Sequence, residues 1–137
     1  VQVHLDTAGT ASYTIVQPSA WDAIEWNENI HNAVAATDVF VFGSLVCRND
    51  VSKKTLLQLL EVAKFKVFDV NLRSPFYNIE LLVELMQKAD LIKLNDEELN
   101  FIVTALNASV KTIEDQILFI LSFPPISKSF TMFLNSG

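Results

Sequence analysis

Glycine is nearly absent from this 137-residue chain: Gly9, Gly43 and Gly137 are the only three. Neither a G-x-G-x-x-G nor a Walker A sequence occurs, so no glycine loop in the chain wraps a phosphate. Cysteine occurs once, as Cys47, which leaves no partner for an internal disulfide and points to a reducing cytoplasm. Near a strand end that thiol reads as a small apolar residue. Basic residues are scattered and the net charge is −6, which argues against nucleic acid as a partner. No apolar run reaches the length of a membrane span, and no basic segment leads into an apolar core at the start, so neither a membrane partner nor a signal peptide is expected. The chain opens on Val1 and stops directly after an apolar run, so it is expected to be a piece of a longer protein.

Half of the residues are hydrophobic and 19% are charged, the balance of one globular domain over 1–137 with a well-buried core. The segment 1–6 alternates apolar and polar residues and 11–16 reads as a second strand, so 1–16 is expected to form a hairpin serving as a lid or a sheet edge. Ser19 followed by Asp22 reads as a capping box for a short helix with Ala20, Ala23 and Ile24 on one face. The segment 39–42 is apolar at every position, as for a strand covered on both faces. A helix over 52–64 buries Leu56, Leu59, Leu60 and Ala63 and turns Lys53 and Lys54 to water. Strands follow at 66–70, 91–94 and 129–134, separated by helices over 79–89, 96–107 and 113–121. This alternation predicts parallel strands with right-handed crossovers and helices on both faces, a Rossmann-like α/β three-layer sandwich with a mostly parallel sheet, incomplete in this chain.

Two strand ends carry the polar groups. At the first, Asp69, Asn71 and Arg73 share one side if the extended form persists beyond the strand. The competing readings are an Asp69–Arg73 ion pair and a turn capped by Asn71. At the second, Lys93 and Asn95 share a side and the run 95–98 stands where strand passes into helix, the place where open α/β sheets put ligands. Asn95 with Glu98 fits a helix-capping pattern. The same pair also fits the water shell of a magnesium ion, which takes hard oxygen ligands and keeps several waters.

These two ends, Asp69-Val-Asn71-Leu-Arg73 and Lys93-Leu-Asn95-Asp-Glu-Glu98 with one helix between them, resemble the central part of a ribokinase-like (PfkB-type) carbohydrate kinase of the fructokinase branch. Ala11-Ser-Tyr13-Thr14 and Phe42-Gly43-Ser44-Leu45 support the resemblance, which covers about 1–121. It implies transfer of the ATP γ-phosphoryl to a sugar hydroxyl, with Mg²⁺ required and ATP as co-substrate. Asn95 and Glu98 would hold the magnesium through water. Asp69, Asn71, Arg73 and Lys93 would line the cleft for sugar and phosphate. The catalytic base and the anion hole of the family lie in a Gly-Ala-Gly-Asp segment, expected beyond Gly137, so no catalytic residue is assigned within the chain, and the chain alone is expected to be inactive. Where the family has a Thr-x-Gly turn, this sequence reads Asn135-Ser136-Gly137.

Two other functions compete. A non-catalytic α/β interaction or regulatory module fits the missing glycine loop, and a truncated sheet would offer an open edge for another copy, a homo-oligomer. A receiver-like phosphoacceptor domain fits less well, because no acidic pair follows the first strand.

Overall fold

The computed structural model describes residues 2–5, 11–124 and 131–135. Strands β1 (Gln2–Leu5) and β2 (Ala11–Thr14) form an antiparallel hairpin, a sheet of its own. The expected turn at 7–10 lies outside the described residues. A short 3-10 turn, Ala20–Asp22, replaces the expected helix. Helix α1 (Glu28–Ala36) then starts where Asn27 accepts the N–H groups of Asn29 and Ile30, a cap that satisfies two otherwise free donors.

The main sheet has four parallel strands in the order β3 (Phe40–Phe42), β4 (Lys66–Asp69), β5 (Leu91–Asn95) and β6 (Thr131–Asn135). Between them run a second 3-10 turn (Leu45–Arg48), α2 (Asp50–Leu60), α3 (Ile79–Lys88), α4 (Asp96–Ala105) and α5 (Ile113–Ser122). Of the last expected strand, residues 129 and 130 lie outside the described residues, as do Ser136 and Gly137 of its turn.

The register decides which side chains share a face. Phe42 stands opposite Phe68, and Phe68 opposite Ile92. With Leu94 they pack in one cluster with Leu56 and Leu60 of α2, Leu82 and Met86 of α3, Leu99 and Ile102 of α4, and Ile120 of α5. The Phe42 and Phe68 rings stack at 5.2 Å. Burying a Phe or Ile side chain contributes about 1.5–3 kcal/mol, so this face carries the larger part of the stability.

Helices on both faces were expected, and among the described residues they cover one. Strand order that runs unbroken across the sheet moves the chain one way, and right-handed crossovers then lay every connecting helix on the same side. Val41, Val67 and Leu91, opposite one another on the other face, join no core cluster. Val41 is 60% exposed and Val39 50%, so the apolar run at 39–42 is not covered on both sides here. The α/β class and the parallel sheet stand, with the described residues supplying the sheet and one helical layer. Among the described residues no helix is long and apolar enough to cross a membrane.

Candidate functional site

All four strands of the main sheet end on one rim, and the polar groups gather at its centre. Asn95 is the N-cap of α4: its Oδ1 accepts the Glu98 N–H at 2.8 Å, and Glu98 Oε2 accepts the Asn95 N–H at 3.0 Å. The capping box read from the sequence is therefore formed. The other oxygen of Glu98, Oε1, accepts the N–H of Leu72 at 2.9 Å. One carboxylate thus ties the exit of β4 to the exit of β5.

The exit of β4 is not extended as far as the side-chain alternation assumed. The strand ends at Asp69, Val70 is fully buried with its N–H on the Lys93 carbonyl at 2.9 Å, and Asn71 has φ 36°, in the left-handed region. Asparagine tolerates that region better than most residues, because its short polar side chain bonds locally. The turn still brings Asp69, Asn71 and Arg73 together, now along one cleft of about 280 Å³ whose opposite wall is Gly43, Ser44 and Leu45 after β3. The close approach of the two walls explains Gly43: a Cβ there would sit 3.3 Å from the Asp69 carbonyl oxygen.

The competing reading, an Asp69–Arg73 ion pair, is not what forms. Asp69 accepts instead from Lys93 Nζ at 2.9 Å, with the two side chains 34% and 41% exposed. These residues stand opposite each other in the β4–β5 register, so they reach the same face. Arg73 is exposed and donates to the neighbouring Leu72 carbonyl at 3.3 Å. Lys53, expected to face water, donates to Glu84 at 2.9 Å, which raises its pKa. Cys47 is buried, and desolvation pushes its thiol up to about 11, so it stays protonated and inert at neutral pH.

Among the described residues no group of three or more His, Cys, Asp or Glu is placed to hold a metal ion. The described residues therefore build no protein cage, but magnesium is ordinarily bound through one or two carboxylates, substrate phosphates and several waters. A carboxylate offers about four lone-pair sites. Glu98 uses two on backbone N–H groups and retains capacity to accept from water, which fits a role for Asn95 and Glu98 in holding a hydrated magnesium ion. Missing from the sequence reading was the partner of Asp22. Taken for a simple cap, it accepts the Ser19 N–H at 2.7 Å and also forms a buried two-pronged pair with Arg48, 26 residues away. A lone arginine among apolar residues, Leu45-Val46-Cys47-Arg48, was the available signal.

The fold is that of solved sugar kinases. Fructokinase from Xylella fastidiosa superposes with a TM-score of 0.74 at 17% identity over 98% of this chain and 42% of that one, and its ATP-bound form likewise at 0.74 and 16%. Fructokinase from Vibrio cholerae O395 in its fructose, ADP and calcium ion bound form gives 0.64 at 20% over 88% and 41%. Aminoimidazole riboside kinase from Salmonella enterica gives 0.60 at 18% over 98% and 44%. This chain therefore spans less than half the length of each. None of the curated proteins matches it. The sequence profile of the pfkB family carbohydrate kinase matches residues 3–121, from the hairpin through most of α5 and across both strand exits, and the chain belongs to that family.

Proposed function

We propose that the chain carries the central part of an ATP-dependent, fructokinase-like sugar kinase. The observation that supports this best is the joining of two strand exits into one rim: Glu98 bridges Leu72 and Asn95, and Lys93 bridges to Asp69 beside the cleft of Asn71 and Arg73. In such a reaction the bond from the γ-phosphorus to the bridging oxygen of ADP breaks, a bond to the sugar oxygen forms, and the hydroxyl proton goes to a base. Mg²⁺, when bound with the nucleotide, neutralises phosphate charge. Asn95 and Glu98 would hold it through water. Lys93 and Arg73 supply positive charge at the rim, and Asp69 fixes where the Lys93 ammonium sits. No catalytic base is assigned within the chain, which alone is expected to turn over no ATP. The hairpin of β1 and β2 is read as a lid.

The test is fructose-dependent ADP formation from Mg·ATP by a protein carrying this chain extended at both ends. Turnover that falls at least about tenfold in Asn95→Ala and in Arg73→Ala is expected, the scale at which positioning losses are felt. No sugar-dependent turnover, with Asn95→Ala changing nothing, sinks the reading. The exposed Val39 and Val41 at the β3 edge favour a second reading, a non-catalytic module that binds another copy. Under it the chain self-associates in light scattering and the extended protein shows no turnover.

A further inference from the structure

Outside the cleft, the most deeply buried charge in the described molecule is the pair Arg48–Asp22, with side chains 1% and 4% exposed. Nε reaches Asp22 Oδ1 and Nη2 reaches Oδ2, each at 2.6 Å, the fork geometry that only arginine presents to a carboxylate. That hydrogen bond, ahead of any charge effect, holds the Asp22 carboxyl below its ordinary range. The guanidinium does more than pair. Nη2 also donates to the Val16 carbonyl at 2.9 Å, at the root of the β1–β2 hairpin, and its Cζ lies 4.8 Å from the centre of the Phe76 ring. Phe76 in turn donates its N–H to the Arg73 carbonyl at 2.9 Å. A continuous set of contacts therefore runs from the hairpin root through Arg48 to the loop that carries Asn71 and Arg73.

Stability alone does not account for this junction. Buried ion pairs recover little more than their desolvation cost, and apolar residues of similar volume often hold such a place as well or better. Two buried donors here, Arg48 Nη1 and Trp21 Nε1, have no hydrogen-bond partner among the described residues, a cost that a purely structural joint would avoid.

We propose that Arg48 is a positioning residue: by holding the Val16 carbonyl, Asp22 and the Phe76 ring at once, it makes the hairpin root and the 71–76 loop of the cleft move as one unit. The importance of that coupling for a sugar kinase rests on the functional reading above. The coupling itself does not, and amide hydrogen exchange detects it whether or not any protein carrying the chain turns over ATP.

The experiment is residue-resolved exchange on the chain and its variants. Arg48→Ala is expected to speed exchange about tenfold or more both at 16–19 and at 71–77, with Phe68 and Ile92 unchanged, as for opening of one local unit. Phe76→Leu keeps apolar volume and Asp22's pairing but removes the ring face. It is expected to speed exchange at 16–19 as well as at 71–77, and Phe76→Tyr, which keeps the ring at a partly exposed position, is expected to restore both. Loosening confined to 16–19 in Arg48→Ala overturns the proposal. If Arg48→Ala fails to fold, the phenylalanine variants decide: a wild-type rate at 16–19 in Phe76→Leu, or no rescue by tyrosine, overturns it equally.

Discussion

The two faces of the main sheet are made by alternate residues of the same strands, and they have different physical roles. On the helix-covered face Phe68 and Ile92 are fully buried among side chains of four helices. On the other, the residues one position along are Val67 and Leu91, both partly exposed, and Asp69 and Lys93, paired at the surface. A shift of one residue in the strand thus separates the positions that hold the fold from those that carry charge to the rim. Because strand side chains alternate with a period of two, the separation needs no change of backbone. Stability is concentrated on one face and the cleft's charged pair on the other, so the molecule tolerates change on the two faces very unequally.

The sharpest way to break this contrast is to truncate neighbours on opposite faces. Phe68→Ala is expected to lower unfolding free energy by about 3–5 kcal/mol, because the emptied space is enclosed by helices and cannot collapse fully. Val67→Ala, on the open face, should cost under about 1 kcal/mol. Urea denaturation compares them, and equal losses would mean that the open face is covered as tightly as the other. A smaller effect is expected where the faces meet at the rim. Glu98→Ala strands the N–H groups of Leu72 and Asn95 and is expected to cost about 1–3 kcal/mol. Amide exchange at Leu72 should rise with it; if only Asn95 responds, the link between the two exits is not what holds the β4 exit.

Much of this was legible in the sequence because it is local. The Asn95–Glu98 box is written in a four-residue spacing, and the order of strands and helices follows from apolar periodicity and caps. The hairpin and the convergence of Asp69, Asn71 and Arg73 were also readable, although the last arises from a left-handed turn at Asn71 and not from a continued strand. The unreadable features are those fixed by contacts distant in sequence. Lys93 competes with Arg73 for Asp69 only because the register of β4 and β5 sets them side by side. Asp22 finds Arg48 only after the chain has folded back past β3. The open face was not readable for a related reason: an all-apolar strand does not report on which side its connections pass, and that depends on strand order.

The smallest expected effect sharpens the contrast from the charged side. Lys93 and Asp69 form a direct pair at 2.9 Å, yet both side chains are more than a third exposed, so water screens their attraction and ordering two side chains offsets part of it. Asp69→Asn should therefore change stability by at most about 1 kcal/mol, and by less in high salt, where screening lengths fall to a few ångströms. Thermal unfolding of the wild-type chain and the variant at low and high ionic strength tests this. A loss of several kcal/mol, insensitive to salt, would mean that the pair holds up the fold as Phe68 does. A small, salt-dependent loss would leave the open-face charges free to be selected for what they do at the cleft, because removing them scarcely alters the scaffold beneath.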